Sequence, residues 1–408
     1  MQHRIVLTAE TPLSFRSGRN PSQSSTLDYI PGTSIIGALA RTHQMLGGGP
    51  DEFAAFFLHE RIRFSNCYPS SFESSDLQGE TDPVLPLPMT ARSCKRFRGF
   101  RFGANAERKR RQGVTDALIP LALFAMSGEQ RAELLEPLDR CNCAAPGHAL
   151  DRIEGFFRRG SQEHHYGQPD VKKGIRTRTG INYETGTAQS AILYSRQVIQ
   201  ARATFWGRWW IDDDLAPSFE AFLNEADERG LLRVGNNRTR GFGRFRLELN
   251  PQAIPDEPPA VIGERVEAFT RRFKQAATTA GVEAPAPLYV PVLLTSDAIL
   301  TDSLLRARLR LDASDLEAVG IANATLVYHT AGVRQVQGWS TLWGLPKADD
   351  WAIAMGSVFL FALADDSEAT MTALLRWQDK GVGLRRSEGF GSLSIAHPLH
   401  HELAGEYR

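Results

Sequence analysis

A chain of 408 residues, of which 42% are hydrophobic, is long enough for two or more domains with cores of their own. The 47 basic and 47 acidic side chains give a net charge of zero, so a nucleic-acid-binding surface must come from a local concentration of basic residues. The opening sequence lacks the apolar core of a secretory signal, and no apolar stretch is long enough to cross a membrane. We therefore expect a cytoplasmic protein that does not enter a membrane.

The first half of the chain alternates short strands with helices. In chain order, the pattern predicts a strand at 4–11, a turn and helix at 29–41, a helix at 51–58, a strand at 61–68, a helix at 115–126, strands at 192–199 and 200–211, and a helix at 217–229. Thr33 or Ser34 is the expected cap of the first helix. Residues 90–185 carry the densest basic run and little periodicity, which predicts an insertion in the first domain.

The second half repeats this plan in a more compact form. A segment rich in proline and acidic residues at 250–262 has the composition of a linker and separates the predicted domains 1–249 and 263–408. After it, the pattern predicts a helix at 263–279, a strand at 288–295, a helix at 303–309, strands at 324–336 and 352–363, and a helix at 367–378.

A repeated glycine-rich motif links the two halves. Residues 234–247 (VGNNRTRGFGRFRL) align without gaps with residues 382–395 (VGLRRSEGFGSLSI), and six positions are identical. Each copy leaves a predicted helix and enters a predicted strand, whereas a dinucleotide- or phosphate-binding glycine loop leaves a strand and opens a helix. The repeat therefore predicts two β-α-β-β-α-β, or ferredoxin-like, domains in tandem and an α+β fold, with no nucleotide cofactor.

The glycine-rich loops are candidate RNA-binding sites. Glycine allows positive φ and a close approach of another chain, and arginine supplies a planar cation for a phosphate or a base edge. The alternative is a loop needed only to pack helix against sheet. The candidate residues are Gly235, Arg238, Arg240, Gly241, Phe242 and Gly243 in the first loop and Arg385, Arg386 and Gly389 in the second.

A basic run at 92–111 is the second candidate. It combines nine lysines and arginines with one glutamate and three phenylalanines, and cations with interleaved aromatic rings are typical of surfaces that bind single-stranded RNA. A solvated charged loop is the alternative. The candidate residues are Arg92, Lys95, Arg96, Arg98, Phe100 and Arg101, and the run continues through Arg108, Lys109 and Arg110.

Cysteine spacing raises the question of a metal site. Four cysteines in a chain of this size are too few for a disulfide framework. Cys141, Cys143 and His148 lie within eight residues, and folding can bring Cys94 to them as a fourth zinc ligand. The spacing is not that of a common zinc finger, so a structural zinc site and unliganded thiols both stay open.

An RNA-cleaving enzyme is the rival functional class. Histidine-assisted acid–base cleavage has four candidates, His43, His59, His164 and His165, but the sequence shows no partner to orient them. Asp28 and Asp116 are near the predicted RNA-facing loops and are further candidates. Binding and cleavage both stay open at this point, with binding favoured.

Together these motifs resemble the RAMP superfamily of CRISPR proteins. The resemblance rests on the two glycine-rich loops, on residues 30–39 (IPGTSIIGAL) and on residues 178–194 (RTGINYETGTAQSAILY), and it spans most of the chain. It implies tandem ferredoxin-like domains and crRNA binding in the cytoplasm. It also implies that Arg178 and Thr187 contact the RNA backbone. At one position of residues 30–39, family members often carry a basic side chain, whereas this chain has Ile36.

Within that superfamily, the two-domain length, Cys94-Lys95 and Cys141-x-Cys143 look most like the RAMP subunit of type III-D complexes. Such a subunit caps the 5′ tag of the crRNA without cutting RNA. The implied partners are crRNA, target RNA in the assembled complex, the large subunit and the backbone RAMP subunits. The implied role is antiviral defence.

Overall fold

The computed structural model describes residues 1–16, 25–72, 77, 82–101, 111–143, 147–181, 184–185, 187–254, 257–340 and 344–405. The α-helices within these residues are α1 Gly32–Met45, α2 Pro50–Phe57, α3 Leu118–Met126, α4 Ala216–Glu228, α5 Pro259–Ala280, α6 Ala313–Glu317, α7 Glu368–Lys380 and α8 Leu399–Glu402.

The strands are short except where they form the two main sheets and a long hairpin. They are β1 Gln2–Ala9, β2 Ile62–Phe64, β3 Tyr68–Pro69, β4 Leu85–Pro86, β5 Ala91–Cys94, β6 Val114–Asp116, β7 Leu150–Arg152, β8 Phe156–Arg159, β9 Tyr166–Gly167, β10 Lys173–Ile181, β11 Ala188–Ile199, β12 Thr204–Ile211, β13 Phe245–Ile254, β14 Leu288–Leu294, β15 Leu300–Thr301, β16 Ala307–Arg308, β17 Thr325–Thr330, β18 Val333–Val336, β19 Trp339–Ser340, β20 Leu345–Pro346, β21 Asp350–Ile353, β22 Val358–Leu363 and β23 Leu393–Ile395.

Contacts divide the chain into two compact units. The first comprises Met1–Ser71, Asp170–Ile254 and Gln337–Lys347, and the second comprises Phe72–Pro169, Pro255–Val336 and Ala348–Arg408. Most of the predicted insertion therefore belongs to the second unit. The domain limits 1–249 and 263–408 stay a prediction.

The segment predicted as a linker carries regular structure at both ends. Strand β13 continues to Ile254 because its last residues still pair with Gln2 and His3 of β1. Helix α5 begins at Pro259. The proline ring presets the helical φ, and its missing N–H costs no hydrogen bond because the first amides of a helix have no acceptor within the helix. Pro258 and Pro259 thus start a helix.

The first unit is built on an antiparallel sheet of order β13-β1-β12-β2, with β3 beside β12. Helix α1 lies between β1 and β2 in the chain, and α4 lies between β12 and β13, which is the β-α-β-β-α-β plan. Ile5 and Leu7 of β1 point to one face and pack in a core with Leu39 of α1 and Phe219 of α4. The predicted ferredoxin-like fold is confirmed in this unit.

The second unit repeats the plan with a sheet of order β17-β22-β14-β23, which is the same strand order. Its first strand, β14, is apolar throughout and is buried on both faces. Val292 packs in a cluster with Leu374 of α7, whereas Leu293 packs in a second cluster with Ile119 of α3. A continuous apolar strand is typical of a sheet that is covered on both sides.

Two local predictions are wrong. Helix α1 has Pro31 at its cap position without a side-chain bond, and the amide of Gly32 is satisfied by Oδ1 of Asn66 at 2.9 Å, so neither Thr33 nor Ser34 caps it. Residues 303–309 form a turn and strand instead of a helix. Asp302 accepts bonds from the amides of Leu304 and Arg306, and such aspartate-centred turns compete with helix.

Both glycine-rich loops have the same backbone path. The first loop, 234–243, has positive φ at Gly235, Asn237, Gly241 and Gly243, and the second loop, 382–391, has it at the four equivalent positions. Each loop contains a short 3-10 helix, Arg238–Arg240 or Arg386–Glu388. The sequence repeat is therefore a repeat of conformation.

The same three hydrogen bonds hold each loop. In the first loop Val234 N donates to Gly243 O, Asn236 N to Ser14 O and Gly243 N to Pro12 O, at 2.8 to 3.0 Å. In the second loop the equivalent bonds run from Val382 N to Gly391 O, from Leu384 N to Ile299 O and from Gly391 N to Asp297 O, at 2.8 to 2.9 Å. Each loop is thus fixed to the segment that follows the first strand of its own sheet.

This clamp predicts different costs for two glycines of the first loop. A Cβ at Gly243 would lie 2.4 Å from the carbonyl oxygen of Val234, whereas one at Gly241 would meet nothing within 4 Å. Gly241→Ala should cost about 1 to 2 kcal/mol through its left-handed φ alone, and Gly243→Ala should cost more than this. Urea denaturation of both variants measures the difference, and equal costs would contradict the clamp.

Candidate nucleic-acid interface

The hairpin formed by β10 and β11 contacts the first glycine-rich loop through Arg178. The guanidinium carbon of Arg178 lies 4.7 Å from the centre of the Phe242 ring, and Nη2 of Arg178 donates to the Arg240 carbonyl at 3.1 Å. Phe242 is buried, so it supplies a fixed aromatic surface for the cation. Two segments that the sequence predicts separately, the hairpin and the loop, are therefore parts of one site.

A pair of arginines lies beside this contact on the same face of the hairpin. Arg176 is two residues from Arg178, and the register places it directly opposite Arg196 of β11. Like charges directly opposite each other in a sheet are unfavourable unless an anion lies between them. Among the described residues, no carboxylate forms an ion pair with either arginine. This face therefore presents uncompensated positive charge.

The other residues of the predicted interface in this unit differ in exposure. Arg238, Arg240 and Gly241 are exposed, and Gly235 and Gly243 shape the loop beneath them. Thr187 is exposed, and its hydroxyl lies 2.8 Å from that of Thr185. Thr33 and Ser34 are half-buried in the first turn of α1. Sequence reasoning missed Arg196, although pairing the two strands of the hairpin would have found it.

The second glycine-rich loop has the same shape but different electrostatics. Arg385 lies over the Phe390 ring at 4.9 Å, as Arg178 lies over Phe242, but it also pairs with Asp350 at 3.0 Å and Glu388 at 2.8 Å. Burial opposes its charge, yet its hydrogen bonds to Glu388 and Asp350 raise the pKa of Arg385 overall. Arg386 is half-buried and donates to the Lys380 carbonyl, and Gly389 is buried. The second loop is thus largely neutralised within the protein.

Only part of the basic run at 92–111 lies within the described residues, and 102–110, with Arg108, Lys109 and Arg110, lies outside them. Lys95, Arg96, Arg98 and Arg101 are exposed. Arg92 is half-buried and donates to the Met89 carbonyl at 2.9 Å, and burial, with the nearby charge of Arg152, lowers its pKa.

Phe100 corrects the prediction of a stacking residue in this run. It is 3% exposed and packs in a core cluster, with its ring 5.9 Å from that of Tyr166. A ring buried in this way cannot receive a base without opening the core. The segment that follows β5 therefore turns this ring inward, although its basic neighbours stay at the surface.

Three of the four predicted metal ligands converge. The sulfur atoms of Cys94, Cys141 and Cys143 lie within 4.8 Å of one another, although Cys94 is far from the others in sequence. Cys94 Sγ is 3.8 Å from Cys143 Sγ, and Cys141 Sγ is 2.7 Å from it. His148 is not part of this group of ligand atoms; its ring packs 5.8 Å from Phe97.

The thiols of Cys141 and Cys143 differ in acidity. Burial and the hydrogen bond to Cys143 raise the pKa of Cys141 to about 11. The hydrogen bond that Cys141 donates lowers the pKa of Cys143 below its ordinary value. Of the two thiols, Cys143 therefore loses its proton more readily, and a thiolate is the form that binds soft metal ions.

The candidate acid–base histidines differ in their exposure. His43 is 1% exposed, is enclosed by the rings of Phe53, Phe56 and Phe57, and bonds to Glu52 at 2.7 Å. His165 is also buried, whereas His59 and His164 are exposed. A histidine inside an aromatic cluster has a packing role.

The candidate aspartates are engaged by other side chains. Asp116 is 1% exposed and bonds to Nδ1 of His400 at 2.7 Å. Asp28 forms an ion pair with Lys173 at the base of the hairpin. Neither carboxylate is presented as a lone group in a polar loop, which is what the cleavage hypothesis assumed.

A known protein family matches more than half of the chain. A model of the family described as RAMPs, RAMP superfamily, matches residues 6–246. Among solved structures, the chain is similar to a chain of type III-B Cmr-beta bound to cognate target RNA and AMPPnP, with 14% identity over 88% of this chain and 86% of that chain and a TM-score of 0.40. It is also similar to a Cas6 product complex, with 10% identity over 97% of this chain and 100% of that chain and a TM-score of 0.37.

No curated protein matches the chain. In the part of the chain that the structure describes, no helix combines the length and the apolar character needed to cross a membrane.

Proposed function

The chain belongs to the RAMP superfamily, and from this premise we propose that it is a non-catalytic crRNA-binding subunit of a type III CRISPR ribonucleoprotein. The observation that carries the proposal is the contact of Arg178 with Phe242 and Arg240. It joins the hairpin and the first glycine-rich loop into one surface, which we call the hairpin–loop surface and define by Arg176, Arg178, Arg196, Arg238 and Arg240.

The chemistry of the hairpin–loop surface suits an RNA backbone. Arginine offers a planar fork of donors that matches phosphate oxygens, and a phosphate between Arg176 and Arg196 would relieve their mutual repulsion. The exposed glycine at 241 leaves room for a second chain to pass close to the loop. Contacts of this kind position an RNA strand without reading its sequence.

Binding without cleavage is supported by the positions of the candidate catalytic groups. Acid–base cleavage needs a base within reach of the RNA and a partner that orients it. His43, His165 and Asp116 are buried, Asp28 is paired with Lys173, and the exposed His59 and His164 are not part of the hairpin–loop surface. We therefore assign binding, not chemistry, to the site.

Capping of the 5′ tag in a type III-D complex is the finer part of the proposal. It follows from the resemblance of residues 178–194 and of the cysteine elements, and the hairpin–loop surface is where the tag would bind. The large subunit, the backbone RAMP subunits and target RNA are the proposed partners, and antiviral defence is the proposed role.

We also propose that Cys94, Cys141 and Cys143 hold a structural zinc ion. Zinc at about 2.3 Å from two sulfurs in tetrahedral geometry keeps those sulfurs about 3.8 Å apart, which agrees with the 3.8 Å between Cys94 and Cys143. Cys141 would have to move away from Cys143, and His148, which lies nearby in the chain, is the proposed fourth ligand. Zinc would fix the 141–148 segment to β5.

Charge reversal tests the hairpin–loop surface. Arg176→Glu combined with Arg196→Glu should weaken the binding of a labelled crRNA and reduce its salt dependence, by about 0.7 in the slope of log K against log salt for each phosphate that is no longer neutralised. Arg229→Glu is the matched control, because Arg229 is an exposed arginine of the same unit that pairs with Glu225. Fluorescence anisotropy across a salt series measures both. A double variant that binds crRNA like the parent at every salt concentration would contradict the proposal.

Elemental analysis tests the zinc site. Purified protein should contain about one zinc per chain, and Cys141→Ser should lose it. Cys67→Ala is the control, since Cys67 is a buried free cysteine outside the cluster and its replacement should leave the zinc content unchanged. Metal-free protein of unchanged thermal stability would rule the site out.

A further inference from the structure

The two main sheets differ in what their second faces carry. In the second unit that face is an apolar layer, with Leu293 and Leu360 packed against Phe273 of α5 and Ile119 of α3. In the first unit the second face is mixed, and its central and outer strands carry three arginines and two tryptophans instead of an apolar layer. We call this the arginine–tryptophan face and define it by Arg4, Arg63, Trp206, Arg208 and Trp210.

Each tryptophan of this face lies under an arginine. The guanidinium carbon of Arg4 is 4.8 Å from the centre of the Trp206 ring, and that of Arg63 is 4.6 Å from Trp210. Trp206 is 8% exposed, so Arg4 and its neighbours cover most of the ring. The two pairs form two cationic platforms along β12, one with an arginine from β1 and the other with an arginine from β2.

The register concentrates charge between these platforms. Arg4 lies directly opposite Arg208, and Trp210 lies opposite both Gln2 of β1 and Arg63 of β2. Among the described residues no carboxylate pairs with Arg4, and its buried Nε–H has no acceptor. Farther along the face, Arg246 and Glu248 of β13 form an ion pair at 4.0 Å, so their charges largely offset each other. Arg4 therefore brings uncompensated positive charge to the centre of the face.

We propose that the arginine–tryptophan face is a second binding site for single-stranded RNA. The inference rests on the proposed function, which it extends from one contact surface to two. Unpaired bases stack on guanidinium planes as well as on aromatic rings, and the phosphates between them pair with arginine. Duplex RNA does not offer free base faces, so the chemistry of the site selects an unpaired strand.

The experiment compares three variants of the full chain with a fluorescein-labelled single-stranded RNA of mixed sequence. Arg4→Ala with Arg63→Ala should weaken binding roughly fivefold or more, as expected when one base no longer stacks, and should reduce the salt slope by about 0.7 for each phosphate that is no longer neutralised. Arg4→Lys with Arg63→Lys keeps both charges but not the planes, so it should weaken binding with an unchanged slope. Arg61→Ala is the control: Arg61 is a half-buried arginine of the same unit that pairs with Asp212 and Asp214, and its variant should bind like the parent.

Ultraviolet cross-linking of the parent protein locates the contact independently of folding effects. After trypsin digestion, RNA adducts are expected on the peptides 203–208 and 209–229, which carry Trp206 and Trp210. The lysine variant retains the charges of the face, so it keeps the test valid if the alanine variant unfolds.

The outcomes separate this inference from the proposed function. If the parent binds RNA and the hairpin–loop variant loses binding, but the variants of the face bind normally and no adduct forms on 203–229, the inference is overturned and the proposed function stands. If the parent protein binds no RNA, the proposed function and the inference that rests on it are both overturned. If the variants of the face keep RNA binding but lose binding to polyglutamate, the face docks an acidic protein, and the inference is also overturned.

Discussion

The glycine-rich loop, clamped to the segment after the first strand, is the constraint on which each unit depends. Two backbone hydrogen bonds tie the loop to that segment and a third closes the loop on itself, with left-handed conformations at Gly235 and Gly243 or at their equivalents. A side chain at Gly391 would place its Cβ 1.8 Å from the Val382 carbonyl oxygen. The clamp sets where the last strand enters the sheet, and it leaves the 3-10 turn of the loop facing outward.

Duplication has given one clamp two electrostatic roles. In the first unit the aromatic residue of the loop, Phe242, holds an arginine from another segment, the hairpin. In the second unit the equivalent ring, Phe390, holds Arg385 from its own loop, and Asp350 and Glu388 neutralise that cation. A cation over an aromatic ring is worth about 0.5 to 2 kcal/mol, so both contacts help to fix a side chain, but only the first leaves charge available to a ligand.

The sequence was sufficient for features that depend on local pattern or on a long repeat. The gapless match of the glycine-rich motifs predicted two ferredoxin-like units, and the soft ligand chemistry of Cys94 predicted that it would meet Cys141 and Cys143. The sequence was insufficient where the folded structure, rather than the local pattern, decides the conformation. Phe100 alternates with arginines as a stacking residue would, yet the fold turns its ring into a core, and the pattern at 303–309 is overridden by the turn that Asp302 makes.

Hydrogen–deuterium exchange of the whole chain, with and without crRNA, is the most direct test of RNA binding at the hairpin–loop surface. Binding there predicts that RNA slows exchange at residues 173–181 and 236–244, while the equivalent second loop, 384–392, exchanges as in the free protein. The difference follows from the ion pairs of Arg385, which remove the charge that an RNA phosphate would need. Protection of 384–392 without protection of 236–244, or of neither segment, would contradict the assignment of crRNA binding to the first loop and hairpin.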